Sequence, residues 1–478
     1  MKAQSLAGSY FWTALGDGIR QILGFAVSLI LARLLAPSDY GLIGMVLVFV
    51  SVLSSVQEAG PAQAVIRFGK DPAAFPLCAF TGAALGLIMA LVLFTAAPAV
   101  AAFYALPALE PVVRTMSCVL LFNGLRSASQ GELLRGFQFK RVTLIETVAG
   151  LVGAAVAVAL AAAGFGVWAL VANLVSASVL QAALVLRAAP PRYAPLPGGQ
   201  LTRRILAWSL PALGAVLLWQ LYINADSFII GKLLGSEQLG YYAIAFRLAM
   251  LLNDRLGAVV SRVSFSSLSA MQDETERAAA HWLALLERMS LVTYPFLAFL
   301  YLCREEVILV LLGAKWLPAA DPLRYLAIGA AFRSISPVTV NFLATQGYTR
   351  WNFVFSLLNA LLLPAGFWWG ATTMGVSGVA LAWVMVFPLP LLVVVSRASL
   401  LPGAGWRRFV ASLKRPLALL AFVSLSISAA HWLSPPGAVT RLLLSGAGLA
   451  AGVLLFLALA PRLREELRAI LLKIFRPQ

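Results

Sequence analysis

Apolar runs of roughly 18 to 25 residues recur along the whole of this chain, and each is long enough to cross a hydrocarbon core about 30 Å thick. Hydrophobic residues make up 61% of the 478 residues, and charged residues only 12%. A domain of this length with so many hydrophobic and so few charged residues would not stay soluble in water. No large soluble domain fits between the runs. The sequence therefore predicts an all-α polytopic membrane protein whose solvent is lipid.

Hydropathy predicts about fourteen transmembrane helices, six in each half of the chain and two more at its C-terminal end. The first six lie near residues 9–35, 41–60, 77–99, 112–132, 141–162 and 166–187. The next six lie near residues 207–231, 239–261, 285–302, 322–345, 352–371 and 375–397. The last two lie near residues 416–433 and 441–460.

These spans divide the chain into five predicted regions. The regions are an N-terminal six-helix bundle at 1–190, a cytoplasmic linker at 191–206, a C-terminal six-helix bundle at 207–400, two additional transmembrane helices at 401–460 and a basic cytoplasmic tail at 461–478. In the tail, arginine and lysine alternate with leucine, isoleucine and Phe475. This pattern favours an amphipathic helix that lies on the inner leaflet.

Lysine and arginine are concentrated in the loops that follow the even-numbered spans. Among the other loops, 162–166 and 372–375 carry none, although the loop after the ninth span holds Arg304 and Lys315. Because positively charged short loops stay in the cytoplasm, both termini are predicted to be cytoplasmic. The net charge of +17 lies mostly in these short loops. That placement favours anionic membrane lipids over nucleic acid as the partner of the positive charge.

The two halves match each other in sequence, as the halves of transporters often do. The matching pairs, in collinear order, are Arg33–Gly41 with Lys232–Gly240, Leu125–Ala128 with Phe332–Ile335, Arg141 with Arg350, and Gly166–Val167 with Gly375–Val376. Because each half has an even number of spans, both halves enter from the cytoplasm. A pseudo-twofold axis along the membrane normal should then relate the two bundles, with the substrate path between them.

Ionisable side chains inside the spans give the strongest functional signal, because placing one in the apolar region costs about 2.5 to 3.5 kcal/mol. Each should face a wet cavity or a partner. The residues concerned are Asp17, Arg20, Arg126, Glu146, Asp226, Arg247, Asp254, Arg255 and Arg333. Positive charge predominates among them, which predicts a cationic interior.

Asp17 and Arg20 stand three positions apart on one helical face. They can neutralise each other, or Asp17 can orient Arg20 towards the cavity, where a guanidinium can hold phosphate oxygens through two hydrogen bonds. Arg126 and Arg333 are related by the repeat. They can face each other across the interface between the halves, or each can simply donate to the backbone. Arg247 is the remaining candidate of this cationic set.

Asp226 and Asn224 lie on the seventh span, and Gln220 and Asn253 are close to them in the predicted topology. These groups can form a cation site for a Na⁺-coupled or H⁺-coupled cycle. The alternative is that Asp226 only pairs with Arg247.

Glu146 lies near the cytoplasmic end of the fifth span, beside Lys140 and Arg141. An interfacial ion pair is the expected role for this carboxylate.

No enzyme is expected, because the chain lacks a constellation of catalytic groups. The two histidines, His281 and His431, are far apart in sequence, so the sequence offers neither a set of metal ligands nor the residues of a catalytic triad. A Gly-rich phosphate loop followed by lysine and serine or threonine is also missing from the sequence. We therefore expect transport driven by gradients or by substrate flux, with no cofactor other than a coupling Na⁺ or H⁺.

The segment Leu31–Gly41, which reads LARLLAPSDYG, resembles the first-loop signature of the bacterial polysaccharide transporters, the Wzx-type flippases. Further resemblance lies at the end of the second span from Gly60 onward, in the stretch Gln130–Arg141 and in the stretch Gly164–Leu170. The resemblance covers about the first 400 residues, and its motifs specify the family better than the substrate.

This resemblance implies a member of the multidrug/oligosaccharidyl-lipid/polysaccharide exporter superfamily, in which two six-helix bundles form a V that opens alternately to either side. The implied substrate is an undecaprenyl-diphosphate-linked oligosaccharide in the bacterial cytoplasmic membrane. Cations in the cavity suit the diphosphate, while the polyprenyl tail stays in lipid. The residues expected to bind the diphosphate are Arg20, Arg126, Arg333, Asp17 and Arg247. The two additional C-terminal helices resemble those of fourteen-helix members, where they help to form a groove for the lipid tail.

Three other functions remain open on the sequence. A drug or metabolite cation antiporter of the same superfamily would need an acidic, apolar cavity, and the excess of arginine argues against such a cavity. A membrane-embedded glycosyltransferase or ligase would need a sizeable external loop, and the largest outward stretch, 304–321, is short. A scaffold role beside a polysaccharide polymerase and glycosyltransferases would not require buried charge, and it can coexist with transport.

Overall fold

The computed structural model describes residues 24–191, 199–435 and 437–460. Within these ranges the chain forms helices joined by short turns, without a β-strand. The α-helices are α1 Gly24–Leu34, α2 Pro37–Gln57, α3 Gln63–Phe68, α4 Ala74–Tyr104, α5 Leu109–Arg135, α6 Phe139–Ala162, α7 Val167–Ala188, α8 Gly199–Ser269, α9 Thr275–Leu302, α10 Arg304–Leu311, α11 Ala320–Thr345, α12 Thr349–Met385, α13 Pro388–Ser399, α14 Trp406–Leu433 and α15 Ala438–Leu459. A π-helical turn at Glu58–Ala62 joins α2 to α3, and a 3-10 turn at Ala314–Ala319 precedes α11.

Nine helical segments of the described ranges are long and apolar enough to cross a membrane. The prediction of an all-α polytopic membrane protein is confirmed. The helices α5 and α8 are not among the nine. Helix α5 carries polar and charged residues among its apolar ones, such as Arg114, Arg126 and Glu132, which lower its hydropathy. The number of fourteen spans stays a prediction.

Several helices extend well beyond the predicted spans. Helix α9 begins at Thr275 rather than near residue 285, and α14 begins at Trp406 rather than near residue 416. Helix α8 begins at Gly199, inside the stretch predicted as a linker. Hydropathy detects only the apolar part of a helix, whereas the backbone hydrogen bonds continue into the polar residues at its ends.

Two long helices are kinked at glycines, where hydropathy predicted a loop between two spans. Helix α8 is interrupted at Gly235, which has a φ of 86°, and α12 at Gly375, which has a φ of 63° and a ψ of −142°. Gly166, the repeat partner of Gly375, adopts almost the same conformation, with a φ of 55° and a ψ of −131°. Residues with a side chain rarely adopt this region of backbone conformation, so glycine is required at the kinks.

The chain divides into two compact units, Met1–Ala243 and Ile244–Gln478. The division falls within α8, on the C-terminal side of the predicted linker at 191–206. It therefore follows the packing of the helices rather than the loop between the two predicted bundles. The five predicted regions remain a prediction.

In the first unit, α4 and α5 pack in close contact through glycine. A Cβ added at Gly124 would lie 2.5 Å from the carbonyl oxygen of Gly82 and 2.5 Å from the Cα of Gly86. Small residues allow helix backbones to approach this closely within a membrane. This contact fixes the rotation of α5 and so decides which of its residues face the opposite side.

In the second unit, aromatic side chains stabilise the packing of α9 on its neighbours. The ring of Trp282 stacks on Phe342 of α11 at 5.0 Å and on Phe409 of α14 at 6.0 Å between ring centroids. Trp282 is fully buried, and its Nε1 donates to the hydroxyl of Thr339 at 3.3 Å. Helix α14 is therefore an integral part of this unit rather than an appendage.

Candidate substrate cavity in the first unit

The cavity begins with a break in the second span. Pro61 stands inside the π-helical turn at Glu58–Ala62, where it supplies no backbone N–H to the helix. Such turns are frequent at functional sites, because one extra residue re-aims the side chains that follow it. A Cβ added at Gly131 of α5 would lie 2.6 Å from the carbonyl oxygen of Ala62, so α5 packs directly against this turn.

Helix α5 presents one polar stripe to the cavity. Its members recur at intervals of three or four positions, which places them on one helical face. They are Asn123, Arg126, Ser127, Gln130 and Leu134. Of these five residues, only Leu134 is apolar.

The stripe closes a cavity of about 300 Å³ within the first unit. Three more polar residues complete the lining, namely Gln57 at the end of α2, Gln63 at the start of α3 and Glu146 of α6. Ala62 of the π-helical turn adds an apolar methyl group. The residues come from four α-helices and the π-helical turn, and they are separated by up to 89 positions (57 and 146) in the chain. A polar cavity in a lobe built of apolar helices is a candidate binding site.

A chain of side-chain hydrogen bonds crosses the cavity and links a cation to an anion. Nε of Arg126 donates to Oδ1 of Asn123 at 3.2 Å, and Nη1 of Arg126 donates to Oε1 of Gln130. Nε2 of Gln130 in turn donates to Oε1 of Glu146 at 3.3 Å. Nδ2 of Asn123 donates to the hydroxyl of Ser54 at 3.5 Å, which extends the chain of hydrogen bonds to α2.

Gln57 is the deepest polar residue of the cavity, with 1% of its surface exposed. Its Nε2 donates to the backbone carbonyl of Leu120 at 3.1 Å, whereas its Oε1 is buried without a partner in the described part of the chain. An unpaired buried acceptor costs about 1 to 3 kcal/mol. A hydroxyl or N–H of a ligand, or a water molecule, would satisfy it.

Arg126, one of the residues predicted to bind the diphosphate, lines this polar cavity, and its role in binding stays a prediction. Glu146 lines the same cavity, in addition to its predicted place near Lys140 and Arg141. Sequence reasoning missed Gln57, Gln63, Asn123 and Gln130. Uncharged amides depress hydropathy only slightly, but the spacing of Asn123, Arg126 and Gln130 on one helical face would have been a usable signal.

Asp17 and Arg20 lie outside the described residues, so their predicted role stays a prediction. Arg333 lies on α11 of the second unit, with its guanidinium 4.7 Å from the ring centroid of Trp383 and 5.6 Å from that of Phe246. Its Nη1 is buried without a hydrogen-bond partner among the residues described. The aromatic rings hold the guanidinium by cation–π attraction and leave that N–H available to a ligand.

Arg247, the remaining residue of the predicted diphosphate set, has an exposed side chain on α8. It belongs to the second unit and Arg126 to the first. A joint site of Arg126, Arg333 and Arg247 stays a prediction.

Asp226 is buried, with 2% of its surface exposed, and both of its oxygens accept hydrogen bonds. Tyr242 donates to Oδ2 and the backbone N–H of Ser227 donates to Oδ1, each at 2.6 Å. Asn224 donates to the backbone and side-chain oxygens of Gln220. Because residues two positions apart on a helix point to different faces, Asn224 and Asp226 are poorly placed to hold one cation together. The coupling site stays a prediction.

A second cavity, in the second unit, is apolar. It has a volume of about 510 Å³ and lies between α9, α11 and α14. Its lining includes Tyr294, Leu297, Phe332, Leu417 and Leu420. The first of the two additional C-terminal helices thus forms one wall of a cavity suited to a hydrocarbon chain.

Comparisons with known proteins place the chain among transport proteins of polysaccharide synthesis. The succinoglycan biosynthesis transport protein ExoT of Rhizobium meliloti is 26% identical over 376 residues, which cover 78% of this chain and 75% of that protein. The lipopolysaccharide biosynthesis protein WzxC of Escherichia coli is 23% identical over 439 residues, which cover 88% of this chain and 86% of that protein. With these relatives and its apolar helices, the chain is a multi-pass protein of the bacterial inner membrane.

Among solved structures, the lipid II flippase MurJ in an inward closed conformation matches with a TM-score of 0.75. The match covers 93% of this chain and 98% of MurJ at 13% sequence identity, which shows that the two folds are alike. The family model described as "Polysaccharide biosynthesis protein" matches residues 30–321, more than half of the chain. The resemblance indicated by the first-loop signature is confirmed, and the chain belongs to the polysaccharide biosynthesis protein family.

Proposed function

We propose that this protein is a flippase that moves undecaprenyl-diphosphate-linked oligosaccharide from the inner to the outer leaflet of the bacterial cytoplasmic membrane. The product would feed the synthesis of O-antigen, capsule or exopolysaccharide. The observation that carries the proposal is the polar cavity around Arg126 inside an apolar helical unit. A large hydrophilic group that must cross the bilayer needs such a cavity, because hydrocarbon offers it no hydrogen bonds.

The names of the relatives agree with this proposal. ExoT is named as a transport protein of succinoglycan synthesis, and MurJ as a flippase of lipid II. Neither name is that of an enzyme, which agrees with the expectation of a transporter. A prenyl tail would stay in the bilayer during transport, and the apolar cavity between α9, α11 and α14 could hold part of it.

The proposed mechanism is alternating access between the two halves, with both termini in the cytoplasm. The inward-open form takes up the lipid-linked oligosaccharide, and rearrangement of the halves releases the sugar on the outer side. Single cysteines at Arg67 and Lys315, in a background without native cysteine, test the orientation. A membrane-impermeant thiol reagent added to intact cells should label only position 315.

A test of the function uses the full chain in liposomes with fluorescent undecaprenyl-diphosphate oligosaccharide. A membrane-impermeant quencher reports how much of the label moves between leaflets, with and without a Na⁺ or H⁺ gradient. We expect translocation that depends on the protein and is lost in Arg126→Ala. If the label does not move, the flippase proposal is wrong and an enzyme or scaffold role gains support.

The cation antiporter makes a contrasting prediction. The one carboxylate of the described lining, Glu146, is already linked to the guanidinium of Arg126 through Gln130. The cavity therefore offers no uncompensated anion to an organic cation among the described residues, and the same liposomes should not accumulate ethidium. Uptake of ethidium against an H⁺ or Na⁺ gradient would favour the antiporter over the flippase.

A further inference from the structure

Among the residues that the structure describes, the lining of the cavity around Arg126 carries one positive and one negative side chain. Arg126 supplies the cation and Glu146 the anion, and Gln130 bridges them through its amide. The other described side chains of the lining are uncharged. The described part of the lining therefore pairs one cation with one anion, a combination that favours neither a diphosphate nor an isolated metal cation.

The groups in the cavity combine donors and acceptors. Each of the four amides Gln57, Gln63, Asn123 and Gln130 has two N–H donors and one carbonyl acceptor, Arg126 only donates and Glu146 only accepts. Phosphate oxygens would use the donors and leave the acceptors unpaired, whereas a metal cation would do the reverse. A sugar hydroxyl donates and accepts at once, so it matches the mixture.

We infer that this cavity binds a sugar unit of the lipid-linked oligosaccharide through its hydroxyl groups. In this arrangement Arg126 binds the glycan and not the diphosphate. The inference rests on the proposed flippase function. It replaces the expectation, drawn from the sequence, that Arg126 holds the diphosphate. The phosphates then depend on other cations of the chain.

Three further observations support this assignment. The buried Oε1 of Gln57 lacks a partner in the part of the chain that the structure describes, and a sugar hydroxyl would donate to it. The side chain of Gln63 forms no hydrogen bond within the described ranges, so its amide is also available. The volume of about 300 Å³ is at the lower end of ligand pockets, with room for a single sugar ring rather than a whole oligosaccharide.

The experiment compares two ligands of the full chain reconstituted in nanodiscs. One is lipid-linked oligosaccharide extracted from cells that lack this transporter, and the other is undecaprenyl diphosphate without sugar. Kd is measured for the wild type and for the variants Glu146→Gln, Gln130→Leu and Arg126→Gln. Gln181→Leu of α7, outside the cavity lining, is the matched control.

We expect Glu146→Gln and Arg126→Gln to weaken the binding of the glycosylated lipid about tenfold or more, because each removes a charged hydrogen-bonding group. Gln130→Leu should weaken it severalfold. All three variants should bind bare undecaprenyl diphosphate within about twofold of the wild type, and the control should match the wild type with both ligands. Thermal unfolding of each variant separates loss of binding from loss of fold.

Three outcomes would overturn the inference. Arg126→Gln could weaken both ligands equally, which would place the diphosphate in the cavity. Glu146→Gln could change the Na⁺ or pH dependence of binding without changing the preference for the glycosylated lipid, which would make the cavity a coupling site. The glycosylated lipid could also bind all variants as tightly as the wild type. If the wild type binds neither lipid, the proposed flippase function fails instead.

Discussion

Gly41 and Gly240 each pack against the residue that stands four positions before the other. A Cβ added at Gly41 would lie 1.6 Å from the carbonyl oxygen of Ser236, and one added at Gly240 would lie 1.9 Å from that of Pro37. The two contacts are reciprocal, as a twofold relation requires. Both glycines belong to the matched segments of the repeat, so the two copies meet each other at equivalent positions within the first unit.

Alanine at Gly41 or at Gly240 should destabilise this contact, because backbone atoms cannot move aside as a flexible side chain can. Overpacking costs about 1 to 3 kcal/mol, and the distances here place both variants at the upper end. The unfolding temperature of the detergent-solubilised protein measures the effect. Gly150→Ala in α6 is the control, since nothing lies within 4 Å of a Cβ at that position. Equal unfolding temperatures for all three variants would contradict the packing seen here.

Pro61→Ala should raise stability and lower transport at the same time. The substitution restores a backbone N–H, so the turn at Glu58–Ala62 can relax towards a regular α-helix, which is favoured by up to about 3 kcal/mol. Relaxation of the turn to α-helical geometry would rotate Gln63 about the helix axis, away from the cavity. Translocation in liposomes and the unfolding temperature are measured together. Pro98→Ala in α4 is the control and should leave transport intact.

Arg333→Lys should reduce export strongly, even though the charge is retained. Lysine lacks the planar guanidinium that lies over Trp383 and Phe246, and it cannot form a two-hydrogen-bond contact with a diphosphate. We expect about a tenfold loss in a complementation assay of surface polysaccharide.

The control for Arg333 is Arg324→Lys on the same helix. Arg324 forms an ion pair with Asp321 at 3.8 Å, and such partly exposed pairs contribute at most about 1 kcal/mol. Export by Arg333→Lys at the level of the Arg324→Lys variant would remove Arg333 from the proposed mechanism.

Arg20→Ala should abolish export while leaving the protein folded, on the sequence-based expectation that Arg20 faces the substrate path. Surface polysaccharide and the amount of protein in the membrane are measured side by side. Arg277→Ala, which removes an exposed pair with Glu274, serves as the comparison. Unaltered polysaccharide in Arg20→Ala would show that this arginine is dispensable.

The sequence by itself determined the class of the protein, the internal repeat and the family. Lipid as the solvent follows from the length and composition of each apolar run, and the glycine conformations at Gly166 and Gly375 follow from the turn that both copies need. The signature around Pro37–Gly41 sufficed for the family. All of these are properties of residues close together along the chain.

Only the tertiary structure decided what the cavity contains. Gln57, Arg126 and Glu146 are brought together by the π-helical turn and by the rotation of α5, which the glycine contact with α4 fixes. A hydropathy profile registers a costly charge, but it cannot register which amides surround that charge, because amides are tolerated in many helices. Arg126 was therefore recognisable from the sequence as a candidate site residue, while Glu146, to which Gln130 links it, became visible as its counter-charge only in the fold.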